Sequence, residues 1–530
     1  MNTDLIIGID AGTSVIKAVV FSLDGKQLAV SAVRNSYKTT SDGAATQSLS
    51  QTWEDCVCAI KGLDKQVEML RERVVAVAVT GQGDGTWLID GAGEPVCDAW
   101  LWLDGRSAPT VDILNKKISE RQRFEKTGTG LNTCQQGVQL AHMASHFPQL
   151  LNTATTAFHC KDWLYFNFTG VRATDPSEAS FTFGNFRTRQ YDDQVIESLG
   201  LGGHRELLPD IIDGSEITHP LSQEAANLTG LKAGIPVSLA YVDMVMTALG
   251  AGVHTGQDNV VCSVVGSTGV HMRSVLSDDV FLNDQGTGYV ITLPLPGRVT
   301  QVQTNMASAL NLDWLLNVAA GLLNDFGCEH TPQMLVNKVE DWLQQADEGQ
   351  LLYHPYISDA GERGPFVNGR ARASFMGLTY HHRFADLVRA VVEGLGMAMR
   401  DCYEAMGGAT DELRLSGGAV RSPTLRKILA ASIGANVRVS GREEAGAAGA
   451  AMMAAVAIGK YPTMDDCIAE WVTPLLGQIE STDAALGERY DMLFKAFYQQ
   501  RLTFPETWLA MDQLRERPTI LSTVGSSKKA

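Results

Sequence analysis

Apolar residues along this 530-residue chain fall into two kinds of run. Short β-branched runs end in glycine-rich turns, and longer segments with helical spacing lie between them, the alternation expected of an α/β protein. Leu5-Ile6-Ile7 leads into Gly8-Ile9-Asp10-Ala11-Gly12-Thr13-Ser14, and residues 14–21 are predicted to return as a second strand ending at Asp24-Gly25. Residues 74–79 form another β-branched run, ending at Thr80-Gly81-Gln82-Gly83-Asp84-Gly85. Helical patterns occupy much of 106–151, and 236–241 reads as a buried strand ending at Val242-Asp243. After Gly250-Ala251-Gly252-Val253 a second strand–turn–strand unit begins, from Val260-Val261 to Val264-Val265 and then Gly266-Ser267-Thr268-Gly269. A domain boundary is therefore placed near residue 254.

In the second half, Leu387, Val388, Val391, Val392 and Leu395 fall on one face at helical spacing. Residues 413–415 read as a short strand running into Ser416-Gly417-Gly418-Ala419. Ser422-Pro423 then supplies an N-cap hydroxyl and a proline at the first helical position. Glu443-Glu444 opens an Ala/Gly-rich stretch whose small side chains let a helix lie close to a sheet or a ligand. The last seventy residues look helical, with a polar, frayed tail from Ser522. His381-His382 reads as a polar turn, and Trp53 and Trp163 as core.

Length and composition narrow the classes. The chain is too long for one core, and 45% hydrophobic residues suffice for two. A net charge of −17 argues against nucleic acid or an anionic membrane as main partner. Asn2-Thr3-Asp4 is not the basic start of a signal peptide, and the longest small-apolar run, 445–458, is too short to span a bilayer. Nine scattered cysteines, an odd number, fit reduced thiols in a cytoplasm, and Cys56 and Cys58 read as helix residues.

A hairpin whose turn lacks large side chains exposes backbone N–H groups and hydroxyls, which makes an anion cradle. Two such turns in one chain suggest two similar domains clamping a polyphosphate. Asp10, at the carboxyl end of a buried strand, can hold a hydrated Mg²⁺. Lys17 lies in the returning strand, within reach of a phosphate. The turn is not a Walker loop, because no Gly-Lys-Ser/Thr opens a helix there.

Beyond the turns, a longer pattern identifies a family resemblance over residues 4–460. Ala373-Ser374-Phe375-Met376-Gly377-Leu378, followed after seven residues by Asp386-Leu387-Val388-Arg389-Ala390-Val391-Val392-Glu393, resembles the second signature of the FGGY carbohydrate kinases. Gly361-Glu362-Arg363-Gly364-Pro365 and Trp102-Leu103-Asp104-Gly105-Arg106 resemble two further segments, Leu103 departing from the usual Asn. Lys161-Asp162-Trp163-Leu164 and Ala173-Thr174-Asp175 match later landmarks. The resemblance implies two actin-like (ribonuclease H-like) ATPase domains with a central cleft. Residues 1–254 are expected to bind substrate and carry the base, 255–460 to bind ATP, and 461–530 to form a helical extension.

The roles carried over are these. Asp243, in Asp243-x5-Leu249-Gly250-x-Gly252, matches the catalytic base, its alternative being a helix N-cap. Asp10, with Asp243, matches the Mg²⁺ site. Gly12, Thr13 and Ser14 match the first phosphate loop, Gly266, Ser267 and Thr268 the second, and Lys17 is counted with the nucleotide-binding residues from its place in the strand. Gly417, Gly418, Ala419 and Ser422 match the adenosine loop, and Asn311 lies where a helix of that family approaches the nucleotide. Gln82, Gly83, Asp84, Trp102 and Asp104 match the substrate segment.

Where glycerol-kinase relatives carry Arg-Glu and D-xylulose-kinase relatives Met-His, this chain has Gly83-Asp84. That form is most similar to the erythritol- and L-xylulose-phosphorylating branches. Two carboxylates repel an acidic substrate, which favours a neutral polyol or ketose. The expectation is ATP-dependent phosphorylation of such a hydroxyl in the cytoplasm, with glycerol or D-xylulose as alternative acceptors. A homodimer is an expectation of the resemblance alone. Two other classes remain: a non-metabolic ATPase of the superfamily, and a regulator that binds a polyol without turning it over.

Overall fold

The computed structural model describes residues 4–117, 119–408 and 410–516. The tail expected from Ser522 lies outside the described residues. The chain divides into two compact units. The first comprises Met1–Cys262, Met272–Val302 and Val439–Gln478, the second Ser263–His271, Gln303–Arg438 and Ile479–Ala530.

One six-stranded sheet is built from β1 (Leu5–Ala11), β2 (Val15–Ser22), β3 (Gln27–Arg34), β4 (Val74–Gly81), β5 (Thr218–Pro220) and β6 (Pro236–Leu239), in the order β5-β6-β4-β1-β2-β3. The first three strands are an antiparallel meander, and β4 and β6 join in parallel. The sheet is covered on both faces, which is why its strands read as continuous apolar runs rather than alternating ones. Ile6, Ile7, Ile9, Val19, Val20, Val77 and Val79 are all fully buried.

The other sheet repeats the plan. It consists of β7 (Val260–Val265), β8 (Gly269–Leu276), β9 (Tyr289–Thr292), β10 (Arg298–Asn305), β11 (Glu412–Ser416) and β12 (Asn436–Val439), in the order β9-β10-β8-β7-β11-β12. In each sheet the first strand of a hairpin therefore lies beside a strand reached by a long crossover, the arrangement that fits the actin-like plan.

Helices follow from capping and periodicity. α1 (Leu49–Lys61) starts at Ser48, whose hydroxyl accepts the Gln51 N–H, and it contains Cys56 and Cys58. Trp53 packs edge-on against Phe168, and Trp163 is buried. Ser422 caps α2 (Pro423–Ile433) by accepting the Leu425 N–H, with Pro423 in the first turn as the sequence predicts. His381-His382 forms a turn in which His382 accepts the Thr379 N–H.

The helix α3 (Phe384–Glu404) corrects the one-face reading. Val388, Val391 and Val392 are buried, but so are Arg389 and Glu393, paired at 2.9 Å, with Glu393 also accepting the Tyr490 hydroxyl. Neighbours enclose the helix on several sides, so its charged face neutralises itself inside the protein.

The Ala/Gly run forms α4 (Ala445–Ala457), packed on β1, β4 and the helix Asp243–Ala251. A Cβ at Gly8 would stand 2.2 Å from the Ala447 carbonyl, and one at Gly446 would stand 2.5 Å from an Asp10 oxygen. Small residues are thus demanded on both sides of this contact. Among the described residues no helix is long and apolar enough to cross a membrane.

Candidate active site

The turn Gly12-Thr13-Ser14 joins β1 to β2, and its three carbonyls are all held from one side. The Asn35 amide donates to Gly12 O at 3.1 Å, the Gln47 amide to Thr13 O at 3.2 Å, and the Asn35 N–H to Ser14 O at 2.8 Å. Among the described residues, the N–H groups of Gly12, Thr13 and Ser14 make no hydrogen bond. Peptides with carbonyls tied down and N–H groups free form an anion-binding concavity. Neither Asn35 nor Gln47 was expected from the sequence. Nothing local marks an amide side chain that will meet a turn 20 to 35 positions earlier.

The second turn, Gly266-Ser267-Thr268 between β7 and β8, also has its carbonyls tied, by other means, and among the described residues the N–H groups of Ser267 and Thr268 stay free. Gly266 O and Ser267 O accept the N–H groups of Ala309 and Ser308, at the start of α5 (Ala309–Asp325), at 2.9 and 2.7 Å. Thr268 O accepts the Gly266 N–H, and the exposed side chains of Ser267 and Thr268 face solvent. After β11, residues Gly418–Arg421 form a single 3-10 turn running into Ser422. A side chain at Gly418 would meet open space, which leaves room for a flat group. The Ser422 hydroxyl is also engaged by Glu340.

The segment 82–85 follows β4. Asp84 adopts a left-handed conformation (φ 58°), a backbone that costs energy for a non-glycine residue and clusters at functional sites. Gly83 is required by close approach: a Cβ there would lie 2.4 Å from Val242 Cγ2 and 3.2 Å from Glu178 Oε1. The Gln82 side chain is buried and closes a ring. It donates to Gln47 Oε1 at 2.8 Å and accepts from the Thr13 hydroxyl at 2.9 Å. That hydroxyl in turn accepts the Trp102 indole N–H at 2.9 Å. The Trp102 ring itself is 38% exposed, open to stacking on a carbon skeleton.

Asp243 is the first residue of the helix Asp243–Ala251, four residues after β6 ends at Leu239, and the N-cap position falls on Val242 rather than on Asp243. Its carboxylate accepts the Met244 N–H at 2.6 Å. Desolvation and the nearby charges of Asp10 and Asp84 lift its carboxyl to about 7, against the Met244 N–H and the Gly83 backbone, which lower it. Desolvation likewise lifts Asp10 to about 6, with Lys17 opposing. Val242, the residue before Asp243, is fixed by a buried polar cluster. Val242 N–H donates to Ser177 Oγ at 3.0 Å, Ser177 to Asp175, and Asp175 pairs with Lys161, which also holds Asp162 at 2.7 Å. Among the described residues no group of three or more His, Cys, Asp or Glu side chains forms a metal cage. Asp10 and Asp243, which repel one another, are the residues that would offer a hydrated hard cation its one or two carboxylates.

Three expected ligands are turned to other work. Asp104 is fully buried, both oxygens engaged by Arg106 (2.6 to 3.1 Å) and one also by the Ala45 N–H, so its carboxylate cannot also receive a substrate hydroxyl. Asn311 is fully buried, donating to Ala307 O and Ser308 O and accepting from the Tyr353 hydroxyl. Lys17 lies opposite Asp10 in the hairpin, but its ammonium is paired with Glu444 at 2.8 Å rather than free for phosphate.

Two glycine turns with free N–H groups on sheets of like topology, and a buried acid of raised pKa, suit a phosphotransferase of the actin-like plan. Comparison with known proteins makes the assignment specific. Residues 5–250 match the N-terminal domain of the FGGY family of carbohydrate kinases and residues 261–458 its C-terminal domain, and the chain belongs to that family. It is therefore a carbohydrate kinase that uses ATP. An erythritol kinase of Brucella abortus is 61% identical over 511 residues, covering 95% of this chain and 97% of that protein. A xylulose kinase of Escherichia coli is 27% identical over 94% of this chain and 99% of its own length. The crystal structure of a xylulose kinase from Lactobacillus acidophilus superposes with a TM-score of 0.85 at 20% identity, covering 96% of this chain and all of that one, a likeness of fold.

Proposed function

We propose that this kinase phosphorylates a small neutral polyol of the erythritol kind, with Asp243 as general base. The observation that carries the reading is the packing of Asp243 beside the 82–85 loop, where the Asp84 charge acts on its carboxyl and Gly83 closes on the preceding Val242. It ties the proton acceptor to the segment expected to hold the acceptor alcohol. A carboxyl lifted to about 7 is matched to taking a hydroxyl proton near neutral pH. The Trp102 face and the Asp84 carboxylate suit a neutral carbon skeleton bearing hydroxyls, and the high identity to an erythritol kinase supports the same choice. Asp84 and Asp243 disfavour an anionic acceptor by repulsion.

Gly12, Thr13 and Ser14, and separately Ser267 and Thr268, present unpaired N–H groups to phosphate oxygens. Gly417, Gly418, Ala419 and Ser422 are proposed for the adenosine. Asp10 and Asp243 would hold Mg²⁺, which when bound neutralises charge on the transferring phosphoryl group. Cytoplasmic location and a homodimer belong to the same proposal, the latter tested by light scattering.

ADP release measured over a panel of tetritols, pentitols, glycerol, pentuloses and sugar phosphates tests the function. Erythritol is expected to give the highest kcat/KM, and Asp243→Asn to lose roughly 10²–10⁴ in kcat while still binding ATP. Turnover of sugar phosphates alone, or a fully active Asp243→Asn enzyme, overturns the reading.

A further inference from the structure

Gln47 and Asn35 lie outside every segment that marks the site in the sequence, yet between them they hold all three carbonyls of the 12–14 turn. Both are 2% exposed. A turn of this kind binds an anion only while its peptide planes keep their N–H groups on one side. In a chain of free peptides nothing enforces that. Here the Asn35 side-chain amide and backbone N–H fix the planes after Gly12 and Ser14, and the Gln47 amide fixes the plane after Thr13.

Gln47 has a second attachment. Its Nε2 donates to Thr13 O and Ser36 O (3.2 and 3.3 Å), while its Oε1 accepts from Gln82 Nε2 (2.8 Å). The Gln82 Oε1 accepts from Thr13 Oγ1, and that hydroxyl accepts from Trp102 Nε1. The direction of the ring follows from the Thr13 and Ser36 carbonyls, which can only accept: the Gln47 amide nitrogen faces them, its oxygen therefore faces the Gln82 nitrogen, and the Gln82 oxygen accepts from the Thr13 hydroxyl, which also accepts the Trp102 indole N–H. The ring closes Thr13, Gln82 and Gln47 upon one another with every donor matched to an acceptor. Networks of this kind are stiff when complete and costly when one member is lost.

We infer that Gln47 is a positioning residue acting on both substrates, through Thr13 O on the phosphate turn and through Gln82 on the polyol loop, with Asn35 acting on the phosphate turn alone. The inference rests on the reading of those two segments as nucleotide and polyol sites. It gives the active site a physical link: disturbing one amide shifts both halves of the reaction, although it touches neither substrate.

Three variants separate the links, with KM for ATP and for erythritol measured for each beside wild type. Asn35→Leu is expected to raise the ATP KM roughly five- to tenfold, the scale of one buried hydrogen bond, with little change for erythritol. Thr13→Val, which cuts the hydroxyl link but keeps the turn carbonyl, is expected to raise the erythritol KM more than the ATP KM. Gln47→Leu is expected to raise both by similar factors. A general loss of folding lowers active enzyme concentration and leaves this pattern of KM values unmoved, and thermal melts of the three proteins register it separately. Wild-type KM values for both substrates in Gln47→Leu, or the same rise of both in Asn35→Leu, overturns the inference. A wild-type enzyme inactive on every polyol and pentulose overturns the underlying functional reading instead.

Discussion

The two glycine turns each join the strands of a hairpin and are held differently. At 12–14 the carbonyls are tied by side-chain amides and one N–H of residues that lie beyond the returning strand. At 266–268 two of them are tied by backbone N–H groups at the start of a helix, and the third by the turn itself. The first turn therefore depends on the identity of particular side chains, while the second depends on where a helix begins. Their chemistry also differs. Two residues before Gly12 stands Asp10, opposite Lys17 in the ladder; two residues before Gly266 stands Val264, and five residues after Gly266, as Lys17 is after Gly12, stands His271. His271 is buried between Ser263 and Asn305 and pushed down to about 4 by desolvation, so it stays neutral and structural. A repeated fold has kept one backbone device twice and placed the acid in only one copy.

The largest test of that asymmetry is at the acid. Asp10→Asn is expected to lower kcat about a hundredfold, the scale of losing one electrostatic group at a reacting centre, whereas Val264→Ala at the matching place stays within about threefold. Steady-state assays of both decide it, and equal losses would erase the distinction.

Packing gives the next largest contrast. Gly446→Val forces a side chain against Asp10 and Thr247 and is expected to cost about 1–3 kcal/mol of stability. Gly266→Ala meets only ordinary contact, 3.8 Å from Thr268 O, and should stay within about 0.5 kcal/mol. Denaturant midpoints measure both.

A smaller effect concerns pH. Asp10 and Asp243 titrate at about 6 and 7 in the folded protein, above their unfolded value, so the folded state holds their protons more tightly. Their contribution to stability is therefore present below the unfolded pKa and is lost as pH rises toward 7. Without nucleotide or metal, Asp243→Asn should raise the melting temperature relative to wild type at pH 8 and lose that advantage at pH 4. An advantage that grows on acidification would contradict the burial that raises this carboxyl.

How much of the site could be read in advance varies by residue. The Ser422 cap, the two hairpins and the start of a new element at Asp243 each depend on neighbours within a few positions, and they appear where the residue pattern puts them. Asp104 shows the limit. Its residue type suits a hydroxyl ligand, but Arg106, two positions on, folds back onto it and consumes both oxygens. Asn311 likewise sits on the expected helix and faces inward to Tyr353. A one-letter code carries the chemistry of a side chain without its direction.

By itself the sequence determined the alternation of strands and helices, the paired glycine turns and the acid at a strand end, because apolar period and turn chemistry are local properties. Only the tertiary structure decided that Glu444, 427 positions on, takes the Lys17 charge. It also decided that Asn35 and Gln47 hold the carbonyls of the 12–14 turn and that Gly83 is wedged between Val242 and Glu178. Those outcomes depend on which surfaces meet when the sheet is covered, and hydrogen-bond partners are assigned by that packing rather than by proximity along the chain.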